Sequence, residues 1–387
     1  MKRQFPALLL TLALLLSLSA CGGTKQVAKQ SPNAEAAEPS PDTEADTGQR
    51  IKVGLVCGGG EDDQGDTYNF ILGRNDAAVM LAAEGIGVEW RVMWDVPQDG
   101  ACEDANRALA DEGCQLIFND SPGFEAFMRN VAPEYPDVQF VSCGGQASRA
   151  DELPNTHNAF ANIHEGRYLA GVVAGLKLQE RMDSAAVIGY VCADTRPEAV
   201  SGYTAYFLGV RSVCPGVTMK VSADASALAD MGCALISQHS GDIEPALVAQ
   251  SAGILHTGYI HDMTAAAPDA SLVSTRIDWY VYLDHAIRAV LDGRELEQDW
   301  CHGLDMYAVE LTPLNRDLIA DGTDEALDEL KAALADGSLQ VFDTSTFTVN
   351  GATLDTGDAV FDGAFHESYL QSAPYFALAV DGIEILD

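Results

Sequence analysis

From residue 51 onward the chain alternates short unbroken apolar runs with longer segments of helical period, and this constrains the fold more than any other feature. Ile51 to Cys57, Gly87 to Met93, Cys114 to Asn119 and Val138 to Cys143 read as strands. Phe70 to Glu84, Ala101 to Glu112 and Glu125 to Tyr135 read as the helices between them. A second series opens with a helix at Glu165 to Gln179. Its strands are Ala185 to Cys192, Thr218 to Val221, Cys233 to Gln238 and Gly253 to Gly258, with helices at Pro197 to Ser212 and Glu244 to Ala252. Strands without polar alternation are buried on both faces, which calls for parallel sheets covered by helices. Residues 51–387 exceed what one core usually takes, so two doubly wound lobes are expected. Ligands of such sheets bind at the carboxyl ends of the strands, here in a cleft shared by the lobes.

The first residues carry a different signal. Met1, Lys2 and Arg3 precede an apolar run from Leu8 to Leu18, and Leu18-Ser19-Ala20-Cys21 ends it. The run is too short for a mature spanning helix and stands before small residues, as an export signal does. The pattern resembles a bacterial lipobox, which implies a signal peptide over 1–20 and a diacylglyceryl thioether on Cys21. Residues 21–50 lack aromatic residues and apolar periodicity, and read as a disordered acidic tether holding the body outside the cytoplasmic membrane.

A formal charge of -36 repels nucleic acid and anionic lipid, so neither is expected as a partner of the folded body. Most of those carboxylates are simply solvated. The cysteines after Cys21 form no CxxC pair and no metal-like cluster. Their even number permits disulfides, yet Cys57, Cys143 and Cys192 end apolar runs, and buried free thiols are the expectation. Cys57-Gly58-Gly59-Gly60 matches neither a dinucleotide fingerprint nor a P-loop, and Glu61, Asp62 and Asp63 after it would repel phosphate. It reads as a tight turn. No nucleophile elbow is present, and His256 and His261 fit no zinc spacing. No catalytic residue, metal or cofactor is therefore assigned. His239 stands out because it ends an apolar strand and opens a polar loop, and Tyr68, Trp94, Phe124, Tyr259 and Trp279 are aromatic candidates for ligand stacking at the cleft.

Ile51-Lys52-Val53-Gly54-Leu55-Val56, Thr67-Tyr68 and Leu72-Gly73-Arg74 resemble the start of the basic membrane lipoprotein family, the substrate-binding proteins of purine or nucleoside ABC importers. The similarity continues through Glu165-Gly166-Arg167-Tyr168-Leu169-Ala170-Gly171, Ile188-Gly189-Tyr190-Val191, Pro197-Glu198 and Leu208-Gly209. Gln238-His239, Gly258-Tyr259, His261-Asp262-Met263, Asp336-Gly337-Ser338-Leu339 and Val380-Asp381-Gly382 carry it towards the C-terminus. The resemblance implies a type I periplasmic-binding-protein fold with two Rossmann-like lobes, a hinge of three crossings and a purine base or nucleoside between the lobes. Members of this branch carry Gly-Trp-Thr-Tyr where this chain has Gly65-Asp66-Thr67-Tyr68, so Asp66 replaces a stacking tryptophan. Ile260 replaces a polar residue before His261-Asp262, and the segment after Val221 is short.

The expectation is thus a monomeric, lipid-anchored solute-binding protein that hands its ligand to a membrane permease. Its first lobe would comprise 51–160 with about 262–300, and its second 161–261 with about 301–387. The expected ligand contacts are Asp66, Tyr68, Asp120, Phe124 and Gly144 from the first lobe, and Asp194, His239, Ser240 and Ile260 from the second. A receptor for another polar or cationic metabolite, a lipoprotein sensor without transport, and a hydrolase using Asp62, Asp63 and Asp66 remain open.

Overall fold

The computed structural model describes residues 48–61, 63–145, 153–181, 185–370 and 372–386, so the signal segment, Cys21, most of the tether and Asp62 lie outside the described residues. The first series is β1 (Arg50–Val56), α1 (Asp66–Ala83), β2 (Gly87–Met93), α2 (Gly100–Asp111), β3 (Leu116–Asn119), α3 (Glu125–Val131), β4 (Gln139–Cys143) and β5 (Thr156–Ala161). The second is α4 (Ile163–Glu180), β6 (Val187–Val191), α5 (Pro197–Val213), β7 (Thr218–Ser222), α6 (Ala225–Asp230), β8 (Leu235–Gln238), α7 (Glu244–Ala252), β9 (Leu255–Tyr259) and β10 (Ser271–Ile277). The chain then returns through α8 (Trp279–Leu291), β11 (Asp299–His302), β12 (Val309–Leu311), α9 (Thr323–Ala335), a small hairpin β13 (Val360–Phe361) and β14 (Ala364–Phe365), and β15 (Ile383–Ile385).

Besides the β13–β14 hairpin, the described residues form two large sheets, ordered β11-β5-β4-β3-β1-β2 and β12-β10-β9-β8-β6-β7-β15. Within these two sheets all neighbours are parallel except β10 with β12. The chain passes between the sheets at Asn162, at Asp278 and at 303–308, the three crossings of a type I periplasmic binding protein. The crossings lie side by side: Asn162 N donates to His302 O at 2.9 Å, and Asp278 N to Ala308 O at 2.9 Å. Across them Leu304 N donates to the Glu165 carboxyl at 2.7 Å.

The boundary expected near residue 262 falls later. β10 hydrogen-bonds with β9, so 262–277 belong to the second lobe and only α8 and β11 return to the first. β5 and β10 escape an apolar-run criterion because Thr156, His157, Asn158, Ser271, Ser274 and Thr275 are buried polar residues. Several bond inside the protein: His157 reaches Gln139 at 2.8 Å, and His256 reaches Gln238 at 2.8 Å and Ser271 at 3.1 Å.

In the second lobe α4 is buried almost all round, as a helix apolar on every side must be. It lies so close to α5 that a Cβ at Gly209 would sit 2.0 Å from Tyr168 O, and one at Gly171 2.2 Å from Tyr206 O. The C-terminal segment is anchored in this lobe by Phe376 stacked on Phe342, centroids 4.3 Å apart. It also reaches the first sheet, where Asn158 Nδ2 donates to Ser372 O at 3.0 Å. Cys57, Cys102, Cys114, Cys143 and Cys233 are buried thiols. No helix of the described residues is long and apolar enough to cross a membrane.

Candidate functional site

Loops at the carboxyl ends of strands from both sheets enclose two cavities of about 340 and 210 Å3, and Asp66, Arg196, Glu198 and Tyr259 line both. Volumes of this order suit small ligands. The cavities therefore form one cleft with a wall from each lobe.

In the first lobe the turn after β1 is closed by protein acceptors. Gly58 N donates to Asp120 Oδ1 at 3.0 Å, and Gly59 N to Thr67 Oγ1 at 2.9 Å. Thr67 Oγ1 in turn donates to Asp120 Oδ2 at 2.6 Å. Asp120 lines the smaller cavity, and burial, opposed by these hydrogen bonds, pushes its carboxyl up to about 6. Helix α1 begins at Asp66, a turn earlier than the sequence pattern indicates, which sets Asp66 and Asn69 on one face of it. Asp66 is exposed, yet enclosure between the lobes, and then Asp63, raise its carboxyl pKa while Arg196 lowers it. Gly144, at φ 88°, carries the chain past the cavity after β4 in a conformation suited to glycine.

In the second lobe Pro197 starts α5 and puts Glu198 in its first turn. Enclosure, and then the Asp66 charge, push Glu198 up to about 7. Asp194 binds the neighbouring Arg196, Nε to Oδ2 at 2.6 Å, and that bond holds its pKa below the usual range. His239 stacks on Tyr259 with centroids 5.2 Å apart. Its Nδ1 faces Arg167 Nη2 at 3.4 Å and Tyr190 OH at 3.2 Å. A guanidinium only donates, so Nδ1 accepts and the ring is neutral, with its pKa held down to about 3 by burial first and Arg167 next. Arg167 lies 3.7 Å from the Tyr259 ring centroid.

The lobes touch beyond the cavities. Tyr68 meets His261 edge-on with centroids 5.8 Å apart, and His261 Nε2 lies 2.7 Å from Gly241 O.

Of the residues expected from sequence, Asp66, Asp120, Gly144, Asp194, His239 and Ser240 line the cavities. The remaining three do not. Tyr68 is taken up by the His261 contact, Phe124 is wholly buried behind Gly58, and Ile260, at φ 73°, is buried in the core against the first lobe. A strand end brings a residue near a cleft without fixing which way its side chain turns. Glu198, Arg196 and Asn69 line the cavities and were not singled out as contacts, although Glu198 follows a proline that marks a helix start. Pro374 lines the smaller cavity from the C-terminal segment, and nothing local in the sequence announces it.

The family model of PnrA-like ABC transporter substrate-binding proteins matches residues 51–339, well over half of the chain. A purine-binding protein of Brucella abortus is 30% identical over 306 residues, covering 76% of this chain and 83% of that one. Among solved structures, an ABC transporter solute-binding protein from Conexibacter woesei is similar with a TM-score of 0.60 and 20% identity, over 75% of this chain and 98% of that one. A transcriptional activator of the comK gene from Bacillus halodurans has a TM-score of 0.61 and 16% identity, over 74% and 99% of the two chains, so these two likenesses show the fold alone. By its family match and its two-lobed fold, the chain belongs to the PnrA-like family of ABC transporter substrate-binding proteins.

Proposed function

We propose that this protein binds a purine base or nucleoside-like ligand between its lobes and delivers it to the permease of an ABC importer, tethered outside the cytoplasmic membrane by a lipid on Cys21. The observation that supports this most is the cleft itself: Asp66 from one lobe, and Glu198 and Tyr259 from the other, line both cavities. A ligand there contacts both lobes and favours their closed arrangement, which is how a hinge protein signals occupancy to a membrane partner. Tyr259 and Trp279 bring aromatic side chains to the cavity wall, while Asp66, Asp120 and Glu198 accept hydrogen bonds from ring and amino groups. The Brucella abortus relative named as purine-binding supports the ligand class. The ligand is bound and returned unchanged.

Thermal unfolding of the protein against bases, nucleosides and non-purine metabolites tests the ligand class, because a ligand that binds only the folded state raises the midpoint. A rise with purines, followed by recovery of unaltered purine by chromatography, is expected. No rise with any purine, or turnover of one, would overturn the reading.

A further inference from the structure

Resting on that reading of the cleft, we infer that its preferred ligand carries a positive charge on or beside the ring. The carboxylates Asp66, Asp120 and Glu198 line the smaller cavity, and Asp194, Asp242 and Glu244 line the larger one with Asp66 and Glu198. Among the described residues, Arg196 is the one arginine or lysine lining either cavity, and Asp194 engages it. Arg167 lies beneath, against the Tyr259 ring, outside the lining of both cavities. His239 is neutral.

A second observation is independent of the carboxylates. Asn69 lines the smaller cavity at 4% exposure, and its Oδ1 is buried just behind the cavity wall with no hydrogen-bond partner. An acceptor buried without a donor is costly, so a turn of the Asn69 side chain towards a donor group on a ligand is favoured.

Charge also couples to closure. Asp66 and Asn69 stand on the first lobe and Glu198 on the second, so bringing the lobes together sets Asp66 against Glu198. Alone, these like charges oppose closure. A cation between them turns the repulsion into a bridge from lobe to lobe, whereas an anion meets both carboxylates and a neutral ring leaves them with Arg196 as their partial compensation.

Calorimetry of the full-length chain with adenosine, 1-methyladenosine, which is positively charged at neutral pH, and 1-methylnicotinamide, a cationic ring that is not a purine, tests this. The native protein is expected to bind 1-methyladenosine at least about tenfold more tightly than adenosine. Glu198→Gln and Asp66→Asn, each confirmed folded by its thermal midpoint, are expected to shrink that ratio towards one. Adenosine binding as tightly as its methylated cation would overturn the charge preference and leave the purine reading standing. Binding of 1-methylnicotinamide that depends on both carboxylates, with no purine binding, would overturn the purine reading and uphold the charge preference. No binding of any of the three would overturn both.

Discussion

Gly241 of the second lobe meets Gln64 of the first so closely that a Cβ on Gly241 would lie 1.7 Å from the Gln64 carbonyl oxygen. The obstacle is backbone, which cannot swing aside as a side chain can. Gly241→Ala therefore opposes the closed arrangement while leaving each lobe's core untouched. Its ligand affinity is expected to fall about tenfold or more, equivalent to about 1.4 kcal/mol, with the ligand-free melting midpoint little changed. Calorimetry beside thermal unfolding checks this, and native affinity would show that closure does not bring these residues together.

Arg167 is fully buried, and its Nε and Nη1 have no hydrogen-bond partner. Burial of unsatisfied donors opposes folding, while stacking on Tyr259 favours it. Arg167→Met keeps the length of the chain and drops the unsatisfied donors. It is expected to raise stability by on the order of 1 kcal/mol, and to weaken ligand binding because Tyr259 and His239 lose their support. Denaturant unfolding and calorimetry separate the two effects, and a loss of stability would mean that the stacking outweighs the orphaned donors.

The carboxyl of Glu165, bonded to Leu304 N across the crossings, is pushed by burial from its ordinary value of 4.5 up to about 7. A carboxyl raised on folding stabilises the native state fully below its unfolded pKa, and that contribution is lost as pH rises through the folded value. Glu165→Gln keeps the acceptor and removes the ionisation. The variant is expected to gain stability over the native protein as pH rises from 5 to 8, by up to about 3 kcal/mol. Melting curves of the pair across that range test it. A difference that does not vary with pH would mean that Glu165 ionises freely.

Cys21 lies outside the described residues, so its role rests on sequence chemistry alone. Cys21→Ala is expected to abolish lipid attachment and to release the protein from the membrane fraction or leave it unprocessed. Fractionation and intact-mass measurement check this, and a membrane-bound variant with a normal mature mass would overturn the anchor.

The sequence by itself determined the class of fold. Apolar runs such as Ile51 to Cys57 and Ala185 to Cys192 have no polar alternation, so they had to be strands covered on both faces, and the helices between them made the sheets parallel. The loops after those strands held Asp66, Asp120, Gly144, Asp194, His239 and Ser240, all of which reach the cavities. Tertiary structure decided the rest. β5 and β10 are strands despite their polar residues, because neighbouring strands and helices satisfy several of those groups, and this moves 262–277 into the second lobe. Side-chain direction in these loops depends on contacts distant in sequence: Tyr68 turns to His261 of the facing lobe, Phe124 packs behind Gly58 within its own lobe, and Glu198, Asn69 and Pro374 line the cleft. Local pattern fixes which element a residue belongs to, and contacts between residues far apart in sequence fix what its side chain meets.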